Sequence, residues 1–295
     1  MLIANFICLK LSYSSKFSLL GKYVPFVLYP ITILLVSMFG LSINAFIKSS
    51  PITYVVDQRL ATVDSDRQAD RKFTELPDLQ GVIQSDEWIA KWNKVSERAQ
   101  KLIGSLDGWS EAVIARTIAA TIPNGTALFV SSSRPIRDFE GFAHPRGGVY
   151  TYANRGLAGI DGNISTALGV AYGHKATIAV LGDLSFLHDL TGLVNKEAIN
   201  CRFIVINNDG GGIFSTLPQR GVTGFETVFG TPHGLNPAVL AQAMGVDAKQ
   251  ISSLKELEAE IKAPISGVSV VVCDVPDRES NADNLKKIVE SLTSI

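Results

Sequence analysis

Asp183 and Asn208 are the residues whose types and spacing first suggest chemistry. Asp183 directly follows the apolar run TIAVLG, and Asn208 follows the apolar run FIVIN, 25 positions further on. One helical crossover fits this spacing, so two neighbouring parallel strands would bring a carboxylate and a carboxamide to one edge of a sheet. Glycines at 210–212 let the backbone turn so that a main-chain carbonyl joins them. Three such oxygens suit Mg²⁺, which completes its shell with water and phosphate oxygens, so the pattern predicts a magnesium site that binds a diphosphate.

Both motifs also have ordinary structural interpretations. Asp183 could cap the following helix, and NNDGGG at 207–212 could be a simple turn, because Asp, Asn and Gly are common at caps and turns. The occurrence of both motifs at crossover spacing favours the metal site. A histidine-based metal site is not predicted, because the four histidines share no ligand spacing.

A regular alternation of helices and apolar strands begins at Ser110 and predicts the frame that positions these residues. The runs TIAVL, FIVIN and VSVVV lack polar alternation, which is typical of parallel strands covered by helices on both faces. We therefore predict an α/β fold with a doubly wound, mostly parallel sheet. The predicted strands are 126–131, 149–154, 177–183, 203–209 and 268–275, and the predicted helices are 110–122, 163–174, 187–198, 237–245, 254–262 and 281–292.

The N-terminal third is less regular. Between Lys22 and Lys48 lie 25 uncharged residues, which exceeds the about 20 that a membrane helix needs. Prolines, a glycine and an asparagine interrupt this run, which favours a strand at TILLV, a turn, a short helix and a strand at ITYVVD. A membrane anchor through residues 23–47 is the alternative. A further helix, capped by Ser85, is predicted over 85–103.

Charge and cysteine content exclude several classes of protein. The 27 basic and 28 acidic side chains nearly cancel to a net charge of −1, so no basic surplus exists to bind nucleic acid. A hydrophobic content of 46% is enough for a buried core. The three cysteines lie too far apart for a zinc knuckle or a disulfide framework, which indicates a reducing compartment, the cytoplasm.

At this point the residues resemble a known family. The segment from GDLSF to VINND is similar to the diphosphate-anchoring motif of thiamine-diphosphate enzymes, with Leu184 at a position that is often Gly. Longer runs resemble the 2-succinyl-5-enolpyruvyl-6-hydroxy-3-cyclohexene-1-carboxylate synthases of menaquinone biosynthesis. These runs are NRGLAGIDGNISTALGVA (154–171), LGDLSFLHDLTGL (181–193), NNDGGGIFSTLPQ (207–219) and FETVFGTPHG (225–234). The resemblance is strong over 110–295 and weak over 30–109.

The resemblance implies thiamine diphosphate and Mg²⁺, or Mn²⁺ in its place, as cofactors. It assigns the metal to the side chains of Asp183 and Asn208 and to the carbonyl of Gly210. Gly182 belongs to the same cofactor-binding motif, and Ile160 matches the apolar residue that props the cofactor in its bent form.

The implied substrates are 2-oxoglutarate and isochorismate, with loss of CO₂ from the first and addition of the remaining unit to the second. Both substrates carry carboxylates, which an Arg fork can hold in two places. A solvated loop at Arg134 and Arg137, and a packed turn at IFSTL, are the alternatives to these substrate roles. The matching positions are Ser133, Arg137 and Arg155 for the carboxylates and Ile213, Phe214 and Leu217 for an apolar wall.

The family implies three regions and a possible second component. We predict an uninterpreted N-terminus (1–29), a partial central domain with a linker helix (30–109) and a diphosphate-binding domain (110–295). The family's pyrimidine-binding domain, whose glutamate activates the cofactor, is expected to be missing, because about 30 residues without a Glu precede the first matching strand. A homo-oligomer or a complementary chain is therefore expected. A non-catalytic remnant and an acetolactate-synthase relative are the alternatives.

Overall fold

The computed structural model describes residues 7–11, 52–56, 69–75, 86–194 and 199–294. The chain divides into two compact units, residues 1–98 and 99–295, and each is described by itself. The predicted domain limits at residues 29 and 109 stay predictions.

The first unit contains a three-stranded sheet. Strand β2 (Ile52–Val56) pairs antiparallel with β1 (Ile7–Leu11) and parallel with β3 (Arg71–Phe73). The strand predicted at ITYVVD is thus present as β2. The predicted strand at TILLV, the short helix after it, the Ser85 cap and the alternative membrane span at 23–47 lie outside the described residues. Within the described part of the chain, no helix combines the length and apolar character needed to cross a membrane.

The second unit is built on a six-stranded sheet in which every neighbouring pair is parallel. Its order is β5-β4-β6-β7-β9-β8. Because all the strands run in the same direction, each is joined to the next one along the chain by a crossover connection. The strands are β4 (Ala127–Val130), β5 (Tyr150–Tyr152), β6 (Thr177–Gly182), β7 (Cys201–Asn207), β8 (Asp247–Ile251) and β9 (Val268–Asp274).

Helices cover both faces of this sheet. The α-helices of the second unit are α2 (Glu111–Thr121), α3 (Arg134–Phe142), α4 (Asn163–Tyr172), α5 (Asp183–His188), α6 (Pro237–Ala243), α7 (Leu254–Lys262) and α8 (Arg278–Thr293). Helix α1 (Asp86–Gly104) contains the residue at which the two units divide. Short 3₁₀ turns at Leu190–Val194 and Phe214–Thr216 and a π-helical turn at Glu226–Gly230 complete the described elements.

Alternate residues of the central strands pack into two separate apolar layers. Ile178 and Val180 of β6 belong to the layer beneath α2, α3 and α7, whereas Ala179 and Leu181 belong to the layer beneath α4, α5 and α6. Because side chains of a strand point alternately to the two faces, a strand buried on both sides must be apolar throughout. The structure thereby confirms the predicted doubly wound, parallel α/β fold.

Three elements differ from the prediction. Helix α3 was not predicted, because its sequence RPIRDFEGF is highly charged, yet Pro135 suits a first helical turn and Phe139 is buried. Helix α5 begins at Asp183 and ends at His188, whereas the predicted helix spans 187–198, of which 195–198 lie outside the described residues. Strand β8 was also missed, since its mostly polar sequence DAKQI forms an exposed edge.

Candidate functional site

Asp183 and the segment 208–210 meet at the carboxyl edge of the sheet. Strands β6 and β7 are parallel neighbours, with Gly182 opposite Ile206, so the residues that follow them emerge side by side. The buried carboxylate of Asp183 accepts hydrogen bonds at Oδ2 from the main-chain N–H groups of Asn208 (3.2 Å) and Gly210 (2.8 Å). Its Oδ1 accepts one bond, from the N–H of Leu184 at 2.7 Å, and keeps a lone pair for another partner.

The carboxamide of Asn208 is buried and only half satisfied. Its Nδ2 donates to Oε1 of Glu111 at 2.5 Å. Its Oδ1 is buried and has no hydrogen-bond partner among the described residues. Buried polar atoms are nearly always paired, so an unpaired acceptor beside a buried carboxylate indicates a place for a further ligand.

Gly210 holds a backbone conformation that the loop requires. Its φ is +132°, and a Cβ at this position would lie 2.2 Å from the carbonyl oxygen of Gly230. Only glycine allows both the positive φ and this close approach. The carbonyl of Gly210, the predicted third metal ligand, accepts a hydrogen bond from the N–H of Gly212 at 2.9 Å and has a second lone pair.

These groups fit a hard divalent cation. The set contains one carboxylate, one unpaired carboxamide oxygen and one main-chain carbonyl, which are the oxygen ligands that Mg²⁺ or Mn²⁺ takes in proteins. The residues that would hold the metal are therefore Asp183, Asn208 and Gly210, and this role stays a prediction.

His233 lies at the same carboxylate, although no role was predicted for it. Its Nε2 is 3.3 Å from Oδ2 of Asp183, and its Nδ1 accepts the N–H of Leu235 at 3.0 Å. The hydrogen bond to Asp183 raises the pKa of His233, while the N–H of Leu235 favours a neutral ring that carries its proton on Nε2. Nothing in the spacing of TPHG singles out this contact, which depends on the fold of the 225–236 segment.

Backbone strain is concentrated around this edge. Among the described residues, positive φ outside glycine occurs at Ser133 (73°), Asp209 (60°) and Thr231 (42°). Ser133 follows β4, Asp209 follows β7, and the carbonyl of Thr231 lies near Gly210. Such conformations cost of order 1–3 kcal/mol and cluster at functional sites.

Ile160 is fixed to the same part of the sheet. The hydroxyl of Ser185, in α5, donates to the carbonyl oxygen of Ile160 at 2.9 Å. The side chain of Ile160 is half-buried, and Gly182 at the end of β6 is half-buried as a residue. The structure therefore brings the predicted apolar prop and the metal-side helix together, and the prop's role stays a prediction.

Arg137 and Arg155, the predicted carboxylate ligands, lie within electrostatic range of each other. Burial and then the charges of Arg155 and Arg134 lower the pKa of Arg137. Nη1 of Arg137 donates to the carbonyl of Ser133 at 2.6 Å, so this side chain is held at the start of α3, whereas Arg155 is exposed. Two neighbouring cations favour an anion, although the charges of Glu140 and Asp138 partly offset that of Arg137.

Arg134 is not part of a solvated loop, and that alternative is wrong for this residue. Its side chain is 12% exposed, forms an ion pair with Glu111 (3.2 Å) and donates a hydrogen bond to Asp138 within the second unit. The burial of Arg134 could not be predicted from the sequence. Glu111 is far from Arg134 in the chain, and Asp138 has the residue type of an ordinary surface charge.

The predicted apolar wall is partly open. Ile213 and Phe214 are half-buried, and Leu217 is 41% exposed. The rings of Phe214 and Phe229 pack with centroids 5.4 Å apart, which holds the 3₁₀ turn against the segment beyond it. A packed turn and a partly open apolar surface thus coexist here.

Comparisons with known proteins extend these observations. Residues 139–275 match the family described as "Thiamine pyrophosphate enzyme, C-terminal TPP binding domain". The 2-succinyl-5-enolpyruvyl-6-hydroxy-3-cyclohexene-1-carboxylate synthase of Thermobifida fusca is 42% identical over 165 residues, which cover 53% of this chain and 30% of that protein. The synthase of the same name from Bacillus cytotoxicus is 35% identical over 215 residues, covering 70% and 36% respectively.

The chain spans about a third of the length of these curated relatives. Among solved structures, benzoylformate decarboxylase from Polynucleobacter necessarius is 17% identical, with a TM-score of 0.45 and coverage of 56% of this chain and 33% of that one. Residues 139–275 thus match the C-terminal TPP-binding domains of thiamine pyrophosphate enzymes, and the curated relatives confirm the resemblance to 2-succinyl-5-enolpyruvyl-6-hydroxy-3-cyclohexene-1-carboxylate synthases that the sequence predicts.

Proposed function

We propose that this chain supplies the diphosphate- and metal-binding part of a thiamine-diphosphate-dependent carboligase. The reaction is loss of CO₂ from 2-oxoglutarate and addition of the remaining four-carbon unit to isochorismate, giving 2-succinyl-5-enolpyruvyl-6-hydroxy-3-cyclohexene-1-carboxylate for menaquinone biosynthesis. The observation that carries the proposal is the buried Oδ1 of Asn208, which has no hydrogen-bond partner among the described residues and lies beside the buried carboxylate of Asp183. The curated relatives support the choice of reaction.

The chain's own residues divide the work between cofactor and substrate. Asp183, Asn208 and the Gly210 carbonyl would hold Mg²⁺ or Mn²⁺, whose charge would offset that of the diphosphate. Ile160 would support the cofactor through apolar contact. When bound, thiamine diphosphate supplies the electron sink for decarboxylation of a 2-oxo acid.

Substrate selection falls to the residues at the ends of β4 and β5. Arg137 and Arg155 place two positive charges where a dicarboxylate can bind, and Ser133 presents a hydroxyl group at the same helix start. An Arg fork binds a carboxylate through two N–H groups, which fixes its orientation as well as its charge. Ile213, Phe214 and Leu217 shield the reacting carbons from water.

A pyrimidine-binding domain outside the matched segment completes the proposal. It would provide the glutamate that the family places against the aminopyrimidine ring, from the same or from a second polypeptide. A homo-oligomer is the simplest assembly that brings such a domain to the edge of the sheet described above.

Calorimetry of the full chain with thiamine diphosphate tests the cofactor assignment. We expect binding in the presence of Mg²⁺ and its loss with EDTA or in Asp183→Ala. Asp247→Ala is the matched control, because Asp247 is an exposed aspartate at the opposite, amino edge of the sheet. Equal affinities of Asp183→Ala and the unmodified chain would overturn the metal assignment.

The reaction itself is tested with 2-oxoglutarate and isochorismate, with product detected by mass spectrometry. The chain is assayed alone and with the separately expressed pyrimidine-binding domain of a curated relative. Product in either assay supports the proposal. Cofactor binding without product in both assays favours a non-catalytic remnant, and acetolactate formation from pyruvate favours the alternative ligase.

A further inference from the structure

Glu111 is an unusual residue for its position. It begins helix α2, and the four residues after it, Ala112 to Ala115, are all buried apolar residues. The Glu111 side chain is itself only 5% exposed. A buried carboxylate is costly unless charged and hydrogen-bonded partners compensate, so its partners define its role.

Each carboxylate oxygen of Glu111 has a different partner. Oε1 accepts from Nδ2 of Asn208 at 2.5 Å, and Oε2 accepts from Nε of Arg134 at 3.2 Å. Arg134 in turn donates from Nη2 to the buried Asp138. Glu111 is therefore held from the side of α3, and its remaining oxygen is directed at the carboxamide of Asn208.

The hydrogen bond to Glu111 determines which end of the Asn208 carboxamide faces outward. A carboxamide has a donor end and an acceptor end of nearly equal shape, and only the acceptor end can bind a cation. Because a carboxylate accepts but cannot donate, Glu111 selects the orientation in which Nδ2 points towards it. Oδ1 is then left buried, with no hydrogen-bond partner in the part of the chain that the structure describes.

We propose that Glu111 is a positioning residue for the metal ligand Asn208, held in place by Arg134. The inference rests on the metal site of the proposed function and adds a residue that the cation does not touch. Arg134 directly follows Ser133, so the same buried chain connects the metal ligand with the helix that carries Ser133 and Arg137. Groups that orient metal ligands in this way commonly contribute 10–100-fold to metal affinity.

The test measures the affinity of the full chain for Mn²⁺ in the presence of thiamine diphosphate, by electron paramagnetic resonance of free Mn²⁺. In Glu111→Gln, the new amide can donate to Asn208, which lets the Asn208 carboxamide turn its nitrogen towards the cation. We expect the affinity to fall at least about tenfold. Thermal unfolding of each variant reports on the fold.

A double-mutant cycle separates positioning from general stabilisation. In Asn208→Ala no carboxamide remains to be oriented, so adding Glu111→Gln should change the Mn²⁺ affinity less than twofold. Interacting residues give non-additive effects, whereas a purely structural role of Glu111 would lower the affinity equally in both backgrounds. Equal effects would overturn the proposal.

A pair of compensating substitutions tests the same inference independently. Asn208→Asp alone places two carboxylates in contact at Glu111 and should bind Mn²⁺ poorly. In the Asn208→Asp and Glu111→Gln double variant, the amide of residue 111 can donate to the new carboxylate, so affinity should rise at least fivefold above Asn208→Asp. No gain would contradict the inference even where Glu111→Gln alone is too unstable to measure.

The two proposals fail in different ways. If the unmodified chain binds no Mn²⁺ with thiamine diphosphate, the metal site of the proposed function is wrong. If the unmodified chain binds, Asp183→Ala does not and Glu111→Gln binds normally, the metal site stands and only the role of Glu111 is wrong.

Discussion

The hydroxyl group of Ser185 donates a hydrogen bond to the carbonyl oxygen of Ile160, 2.9 Å away. Ser185 is 2% exposed and lies two residues after Asp183 in α5. The segment that carries the predicted apolar prop is thus tied to the helix that carries the predicted metal carboxylate. Movement of one would displace the other.

Ser185→Ala tests this connection. Loss of one hydrogen bond of this kind costs about 1 kcal/mol, so we expect roughly a fivefold loss of thiamine diphosphate affinity as Ile160 becomes free to shift. Calorimetry in the presence of Mg²⁺ gives the affinity. The matched control is Ser291→Ala, which removes an exposed hydroxyl bonded to a helical carbonyl at the same 2.9 Å. Equal affinities for the two variants would show that the bond does not position Ile160.

Gly210→Ala should damage the site through the backbone alone. The new Cβ would approach the carbonyl of Gly230 to 2.2 Å, and the residue would have to keep a φ of +132°. Strain of this kind costs of order 1–3 kcal/mol, and relief would move the 210 N–H away from Asp183. We expect a lower unfolding temperature and loss of Mg²⁺-dependent thiamine diphosphate binding.

Gly125→Ala separates the two causes. Gly125 also has a positive φ, +83°, but nothing lies within 4 Å of its missing Cβ. It precedes β4, at the edge opposite the site. This variant should lose some stability and retain full thiamine diphosphate affinity. Retained affinity in Gly210→Ala as well would mean that the loop tolerates displacement.

The sheet and its central strands could be predicted because strands buried on both faces consist almost entirely of apolar residues. Ile178, Ala179, Val180 and Leu181 are all apolar, since each faces one of the two helical layers. The edge strand β8 lacks a continuous apolar run, because a strand that faces water on one side needs few apolar residues. Helix α3 was missed for a different reason: Arg134 and Asp138 contact each other in largely buried positions, although their residue types suggest solvent exposure.

The site was predicted where chemistry is local and missed where it depends on distant partners. Asp183 and Asn208 could be predicted because each is a polar residue that directly follows an apolar run. Glu111 lies 97 positions from Asn208 in the chain, and a glutamate in a first helical turn is ordinarily explained by the helix dipole. His233 likewise reaches Asp183 only through the fold of a segment without regular periodicity.

Arg137 and Arg155 should determine the affinity for a dicarboxylate. Burial and the nearby charge of Arg155 lower the pKa of Arg137, which means that each cation destabilises the other until an anion binds. Arg155→Gln should therefore weaken 2-oxoglutarate binding about 10–100-fold, the effect of one charge-assisted hydrogen-bonded pair. It should leave the unfolding temperature of the ligand-free chain unchanged or slightly higher.

The measurement is calorimetric titration of 2-oxoglutarate into the chain saturated with thiamine diphosphate and Mg²⁺. Lys262→Gln removes one positive charge from an exposed pair with Glu258 and serves as the control. A similar loss of affinity in both variants would assign the effect to net charge and not to the two arginines.

Asp138 should give the chain a distinctive dependence of stability on pH. Burial, with a contribution from the charge of Glu111, raises the pKa of Asp138 from 3.8 to about 7, although Arg134 opposes the shift. The unfolded chain loses this proton near pH 4, whereas the folded chain keeps it until about pH 7. The stabilisation of the folded chain by the protonated Asp138 is therefore fully present below about pH 4 and is lost progressively as the pH rises towards 7.

Asp138→Asn should flatten that slope, because the amide cannot titrate and its oxygen can still accept from Arg134. Urea unfolding midpoints measured between pH 4.5 and 8 give the slope. Asp283→Asn is the control: Arg220 lowers the pKa of this exposed carboxylate, so its contribution is present above about pH 4 and lost only below it. An unchanged slope in Asp138→Asn would mean that Asp138 is ionised in the folded chain throughout this range, and that Arg134 compensates both of its carboxylate partners at once.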